Sequence, residues 1–209
     1  MIVKRLVLGA IAANCYVCYN EGGNSCVLVD PGGDPAKIAG FLNKNALALE
    51  AVLLTHGHFD HIAAIPELKS HFKFNFKIYA HEKEETVLSD GGINLSSMVF
   101  GEEISLKADV LLKDSDVFSV AGLEFKIINT PGHTAGSSCF INFGDEIVFT
   151  GDTLFRNGIG RTDLPSSEPS KIKLSIKNKL FTLGDNFIVY PGHDEQTTIG
   201  YEKAHNRLV

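Results

Sequence analysis

Ala51-Val52-Leu53-Leu54-Thr55-His56-Gly57-His58-Phe59-Asp60-His61 is the stretch on which the reading of this chain turns. Residues 51–54 form a short apolar run without alternation, the pattern of a strand buried on both faces. Immediately after it, three imidazoles and one carboxylate fall between positions 56 and 61. Any one of these histidines alone reads as a surface or satisfied core residue. Three of the chain's eight at this spacing, beside Asp60, point instead to a divalent metal. With no thiolate among the donors, that metal is a borderline or harder ion such as zinc, iron or manganese.

Working outward, the same arrangement of apolar strand, tight turn and metal-competent side chain recurs three times. Residues 125–129 lead into Thr130-Pro131-Gly132-His133, residues 147–150 into Gly151-Asp152, and residues 187–190 into Pro191-Gly192-His193. Each PGH or GD turn alone is weak and mostly structural. In series they suggest four strand ends converging on one edge of a sandwich. The glycine before each later ligand allows the close backbone approach of a crowded site. The candidate ligands are therefore His56, His58, Asp60, His61, His133, Asp152 and His193. Seven are too many for one tetrahedral zinc and enough for two ions sharing a bridge, for which the two-oxygen carboxylate of Asp152 is the natural candidate. A water held between two cations about 3.5–4 Å apart deprotonates near neutral pH and becomes the nucleophile, with Asp60 orienting it or coordinating the second ion. Asp60 and Asp152 are thus the catalytic candidates. His71 at a helix end, His81 at a helix start and His205 in the terminal helix are left out of the set.

The remaining pattern gives strands at 2–8, 14–20 and 25–29, then a helix to about residue 45 with Asp34 as N-cap and Pro35 at its first position. A helix at 62–71, a strand at 77–80 and a helix at 82–89 follow, and residues 90–109 read as an irregular loop near a site. The later half offers strands at 116–120, 123–129, 137–143, 146–150 and 187–190, a helix at 169–181 started by Ser166 or Ser167 with Pro169, and a last helix from Thr197 to the end of the chain. Two packed sheets covered by helices are expected. Without repeat, linker or composition break, residues 1–209 read as one domain.

Apolar residues make up 44% and charged residues 21%, ordinary for a globular protein. A formal charge of -6 with dispersed lysines argues against nucleic-acid binding. No apolar run approaches the roughly 18 residues of a membrane span, and the N-terminal imitation of a signal peptide is interrupted by Gly9, so a cytoplasmic location is expected. Cys15 and Cys18 form a CxxC, but on a strand an odd separation sends them to opposite faces. Together with Cys26 and Cys139 they read as buried, reduced residues. The partner expected is a small-molecule substrate, and the oligomeric state is not legible.

The motif His56-x-His58-x-Asp60-His61 resembles the signature of the metallo-β-lactamase superfamily. The segments Asn14-Cys15-Tyr16, Val29-Asp30-Pro31-Gly32, Thr130 to Thr134, Thr150 to Phe155, Gly160-Arg161-Thr162-Asp163 and Tyr190 to His193 are similar to its glyoxalase II branch, short bacterial members included. The resemblance implies a four-layer αββα sandwich. It implies one metal on His56, His58 and His133, a second on Asp60, His61 and His193, and Asp152 bridging, with two zinc ions first and iron or manganese compatible. The implied activity is hydrolysis of a thioester such as S-lactoylglutathione through a metal-bridging hydroxide. The helical C-terminal extension that supplies basic residues for glutathione in full-length members is not expected here, since about sixteen residues follow His193, and Lys203 and Arg207 read as solvated charges. Rival readings are an iron-dependent persulfide dioxygenase using His56, His133 and Asp152, a lactonase, and a β-lactamase, the last disfavoured because lactamases of the superfamily lack the bridging aspartate. Arg161 and Asp163 are expected to pair structurally or to face the substrate, and Phe59, Leu154 and Phe155, which flank ligands, to line an apolar pocket wall or belong to the core.

Overall fold

The structure, a computed structural model, describes residues 1–73 and 75–209. Strands β1 (Ile2–Leu8), β2 (Ala13–Tyr19), β3 (Ser25–Val29), β4 (Ala48–Leu53), β5 (Lys77–His81) and β6 (Val110–Leu112) form one six-stranded sheet in that order. Pairing is antiparallel from β1 to β3 and parallel from β3 to β6. The second six-stranded sheet is built from β7 (Val117–Val120), β8 (Leu123–Asn129), β9 (Ser138–Asn142) and β10 (Ile147–Gly151). A two-stranded ribbon of β11 (Leu154–Phe155) and β12 (Gly158–Ile159) stands apart, and β13 (Ile188–Pro191) and β14 (Thr197–Thr198) complete the second sheet in the order β14-β13-β10-β9-β8-β7. The helices are α1 (Pro35–Lys44), α2 (Phe59–Ile62), α3 (Ile65–His71), α4 (Glu85–Ser89), α5 (Ser96–Phe100), α6 (Ile172–Asn178) and α7 (Ile199–His205).

The layering follows from side-chain alternation along each strand. Cys15, Val17, Cys26, Leu28, Val52 and Leu54 pack outward against Ile38 and Leu42 of α1 and Ile65 and Leu68 of α3. Their neighbours Tyr16, Cys18, Val27, Val29, Ala51 and Leu53 face inward and meet Phe125, Ile127, Phe140 and Phe149 of the second sheet. On the far side Ile128, Cys139, Ile141, Val148 and Val189 pack against Ile172 and Ile176 of α6 and Ile199 of α7. Three apolar seams separate four layers, so this is an αββα sandwich. Cys15 and Cys18 lie on opposite faces of β2, and all four cysteines are buried and free. Among the described residues no helix is long and apolar enough to cross a membrane.

Several local expectations are corrected. Asp34 does not cap α1 with its side chain: it sits in the left-handed region (φ 46°) and its carboxylate accepts instead from the Gly9 amide, 3.1 Å away. The single helix expected at 62–71 is two, because the Ala64 amide bonds the Pro31 carbonyl (3.0 Å) and Pro66 has no amide to donate. The helix expected at 169–181 contracts to α6, followed by a 3-10 turn at Leu180–Thr182. The Ser167 hydroxyl, expected to start that helix, donates to the His133 carbonyl (2.7 Å) instead. The last helix ends at His205 rather than with the chain. The 90–109 segment carries α5, and its irregular parts are held by the buried Asn94, which bonds the Ile104 carbonyl (2.7 Å) and the Ser96 amide (3.0 Å). Strands β6, β11, β12 and β14, at two or three residues each, were too short to leave a period in the sequence.

Candidate metal centre

The ends of β4, β8, β10 and β13 meet at one edge of the sandwich, bringing the seven candidate ligands together. His56, His58 and His133 form one buried group whose donor atoms all lie within 4.8 Å of one another, and Asp60, His61 and His193 form a second. Asp152 stands between them. One of its oxygens is 3.4 Å from His61 Nε2, while the other is 3.6 Å from His133 Nε2 and 3.7 Å from His193 Nε2. The approach requires bare backbone: a Cβ on Gly192 would collide with the Asp152 carboxylate, and Gly151, at φ 46°, lies against the Thr55 side chain. The two turns are tied by the Gly192 amide donating to the Gly151 carbonyl at 2.9 Å.

The hydrogen bonds around the imidazoles test whether metal ions fit. His133 Nδ1 is 2.8 Å from the Arg161 carbonyl, which can only accept, so that nitrogen carries the proton. His61 Nδ1 is 3.0 Å from Asp30 Oδ2. His56 Nδ1 is 3.2 Å from Thr55 Oγ1, whose own hydrogen goes to Asp30 Oδ2 at 2.5 Å. All three rings are thus fixed with Nδ1 donating outward and Nε2 aimed at the centre, the arrangement that orients imidazole ligands. His58 presents Nδ1, 2.9 Å from His133 Nε2. Nε2 of His56, His58 and His61 and Oδ1 of Asp152 are buried without a hydrogen-bond partner, His61 Nε2 lying 3.4 Å from carboxylate oxygens of Asp60 and Asp152 but outside bonding geometry. Unpaired nitrogens and carboxylates facing one another in a buried site are satisfied by cations. Asp30 also falls in a possible ligand group with His56 and His61, but its oxygens already hold the Thr55 amide, the Thr55 hydroxyl and His61. It is a buttress.

The electrostatics agree. Burial, reinforced by the neighbouring imidazoles, pushes His56 far below the usual histidine range, and burial with His133 nearby pushes His58 down to about 3, so both rings are neutral and able to coordinate. Burial also opposes charge on His61, Asp60 and Asp152, but here the mutual attraction wins. Asp60, Asp152 and Asp30 raise His61, while His61, with His193 and His133 behind it, holds Asp60 and Asp152 below the usual carboxylate range. The centre carries two ionised carboxylates among imidazoles.

Four supporting residues lie outside the ligand pattern. Asn14 Nδ2 donates to the Pro191 and Asp194 carbonyls, both at 2.9 Å, and the Tyr16 hydroxyl to the Pro191 carbonyl at 2.6 Å, pinning the His193 turn to β2. Asp30 is the third. Glu84 is the fourth: fully buried, it accepts from the Gly57 amide (2.8 Å), the Gly136 amide (2.9 Å) and the Thr134 hydroxyl. Burial outweighs those donors and raises its carboxyl to about 7. Asn14, Tyr16 and Asp30 had a signal in the resemblance; Glu84, within a run of acidic residues, had none. His81 is buried away from the donor groups, its Nδ1 accepting from the Lys83 amide (3.2 Å) as a helix-start residue.

The centre opens into a cavity of about 590 Å³ lined by Ile11, Phe59, Leu95, Met98, Phe155, Ile159 and Leu164 together with His58, Asp60, His133, Asp152, Arg161 and His193. Phe59, Phe155 and Arg161 therefore reach it. Leu154 does not: it is fully buried in the seam against α6, because β11 points alternate residues to opposite sides and Phe155 takes the cavity side. The Arg161 guanidinium forks onto the Asp163 carboxylate with two 2.7 Å bonds, while its backbone carbonyl orients His133. Leu95 occupies the left-handed region (φ 72°), which costs an L residue about 1–2 kcal/mol and persists only where the surroundings impose it. Lys203 is committed to Asp185 (2.6 Å).

The model of the metallo-beta-lactamase superfamily matches residues 8–193. Over 217 residues the chain is 32% identical to hydroxyacylglutathione hydrolase GloC of Haemophilus influenzae, covering 99% of this chain and 97% of that one. Among solved structures, BLEG-1 B3 metallo-beta-lactamase is 37% identical with a TM-score of 0.92, covering 99% of each chain. TTHA1623, solved in a di-iron-bound form, is 31% identical with a TM-score of 0.86, covering 99% of this chain and 100% of that one. With its sandwich, its clustered His and Asp donors and a family match over most of its length, this chain belongs to the metallo-beta-lactamase superfamily.

Proposed function

We propose that the protein is a dinuclear metal-dependent hydrolase of acyl thioesters, S-lactoylglutathione or a related one. The observation that carries this is the Asp152 carboxylate, whose oxygens face both donor groups at 3.4–3.7 Å on the floor of one cavity. In this reading His56, His58 and His133 would hold one ion and Asp60, His61 and His193 a second, with Asp152 placed to serve either. Metal ions bound there would supply an acidified water and a Lewis acid for the substrate carbonyl. The protein's own part is to fix donor geometry: Asp30, Thr55 and the Arg161 carbonyl set the imidazole tautomers, and Asp60 offers an ionised oxygen that can orient the attacking water. A thiolate leaves readily, so a strong acid at the leaving group is not required. The likeness to GloC supports a thioester. Zinc is the first expectation for the metal, and the di-iron form of TTHA1623 supports iron as the alternative.

The test is turnover of S-lactoylglutathione, followed as loss of thioester absorbance, with metal content measured on the same sample. Turnover with two metals per chain is expected. A single iron with no thioester hydrolysis refutes the reading in favour of an oxygenase. Hydrolysis of a β-lactam is the second reading, favoured by the likeness to BLEG-1; a chromogenic cephalosporin assayed on the same sample decides it by the ratio of the two kcat/KM values.

A further inference from the structure

Resting on the hydrolase reading above, we infer that the preferred substrate carries an extended apolar group beside its scissile carbonyl, and that a small polar acyl group on an anionic thiol is a poor fit. Ile11, Leu95, Met98, Phe155, Ile159 and Leu164 line the same cavity as the metal-donor groups. They come from the β1–β2 turn, the 90–109 segment, the β11–β12 ribbon and the loop after it, so the apolar wall is assembled from four separate parts of the chain. Met98 is 76% exposed and Ile11 50%, and Phe100, which packs edge-on against Phe59, is 51% exposed. Exposed apolar side chains around a cavity gain when a ligand covers them. Leu95 is held at positive φ with its side chain on the cavity, and the buried Asn94 beside it fixes the segment, so this wall is built rather than incidental.

The charge pattern gives the other half of the argument. Among the described lining residues Arg161 is the one lysine or arginine, and its guanidinium is already forked onto Asp163. The other charged groups on the cavity are the carboxylates of Asp60 and Asp152, which belong to the metal centre. Among the described lining residues a thiol bearing two carboxylates meets no free lysine or arginine, whereas an alkyl or aryl group meets apolar side chains over most of the wall. Discrimination by such a pocket is graded, because each added methylene contributes its own transfer free energy.

The experiment uses metal-loaded protein and N-acetylcysteamine thioesters of acetyl, butyryl, hexanoyl and octanoyl groups, with S-lactoylglutathione alongside. The expected result is a kcat/KM that rises by up to about fourfold per methylene, the equivalent of ~0.8 kcal/mol, with the hexanoyl ester exceeding S-lactoylglutathione. Calorimetry with octanoate and acetate reads binding without turnover: octanoate is expected to bind more tightly, with a negative heat-capacity change, and Met98→Gln, a neutral change at an exposed rim position, to narrow the octanoate-to-acetate affinity ratio. A flat acyl series with S-lactoylglutathione at least as good, and octanoate no tighter than acetate, overturns the inference while leaving the hydrolase reading standing. Tight octanoate binding without turnover of any thioester overturns the hydrolase reading and leaves the apolar-ligand inference standing.

A second inference comes from a different part of the centre. The geometry points to Glu84 as a positioning residue for the His56, His58 and His133 group alone. Its carboxylate accepts from Gly57, between His56 and His58, and from Thr134 and Gly136, on the loop that follows His133. It thereby joins the loop after β4 in the first sheet to the β8–β9 connection in the second. None of its hydrogen bonds is made to Asp60, His61 or His193 or to the residues next to them. Glu84→Ala and Glu84→Gln are expected to lower affinity for one of two metals by roughly 10–100-fold, read by chelator competition with zinc, with the second equivalent unchanged. Equal loss of both equivalents, or full retention of both in a folded variant, overturns it; if neither variant folds, Thr134→Val, which removes one of the three donors, serves as the test with the same two outcomes.

Discussion

Replacing Asp30 by Asn changes one atom in a fully connected network, and its consequence can be worked through. Asp30 accepts the Thr55 amide at 2.8 Å on one oxygen, and the Thr55 hydroxyl at 2.5 Å and His61 Nδ1 at 3.0 Å on the other. An asparagine keeps only one acceptor. With its amide nitrogen toward His61, two donors face each other across about the same 3.0 Å unless the ring gives up its Nδ1 proton and takes Nε2–H, which removes the nitrogen aimed at Asp60 and Asp152. In the opposite orientation the clash falls on the Thr55 amide instead. An unsatisfied buried donor costs about 1–3 kcal/mol, and loss of a residue that orients a ligand weakens metal binding roughly 10–100-fold. The two ranges coincide. Titration of metal-free protein with zinc against a competing chelator should therefore show the equivalent held by His61 weakened by about one to two decades and the other, whose His56 meets Asp30 only through the Thr55 hydroxyl, weakened less, with circular dichroism unaltered. Two equivalents with wild-type affinities in a folded Asp30→Asn protein would refute the tautomer argument. Beside the Glu84 variants, this substitution should weaken mainly the opposite metal.

Asp152→Ala is expected to abolish most hydrolysis and release at least one metal while the fold persists, checked by elemental analysis beside turnover; full metal content with full activity would sink the bridging role. Leu154→Ala should destabilise the protein by about 2–5 kcal/mol in urea unfolding, as for other large-to-small changes in a packed core, and leave KM unaltered. Phe155→Ala should do the reverse, with KM raised and little change in midpoint; exchange of the two phenotypes would refute the placement of these neighbours. Glu84 has a carboxyl raised to about 7 against 4.5 in an unfolded chain, so the native state binds its proton more tightly. The stability this contributes is complete below about pH 4.5 and is lost as pH rises through 7, a change of roughly 3 kcal/mol at 1.36 kcal/mol per unit. The difference in unfolding free energy between wild type and Glu84→Gln should shrink across that window, and a difference that is flat from pH 5 to 8 speaks against it.

How much of this was legible in the sequence depends on range. The apolar run at 51–54, the HxHxDH stretch and the three glycine turns are local, and each announces a strand end carrying a donor. Alternation along β2 assigned Cys15 and Cys18 to opposite faces, because the two-residue period of a strand is a property of covalent geometry. Caps and helix limits were less legible. Asp34 and Ser167 have the composition of caps, yet their side chains are taken by Gly9 and by the loop of His133, partners distant in the chain. Whether a residue beside a ligand faces the cavity or the core, as Phe155 and Leu154 divide, is decided by a two-residue strand too short to print a period. Local covalent rules thus determined which residues end strands and carry donors. Which buried carboxylates hold those donors in place was left to tertiary structure, because Asp30 and Glu84 act across 25 to 52 residues of chain, where only packing brings an acceptor to its donor.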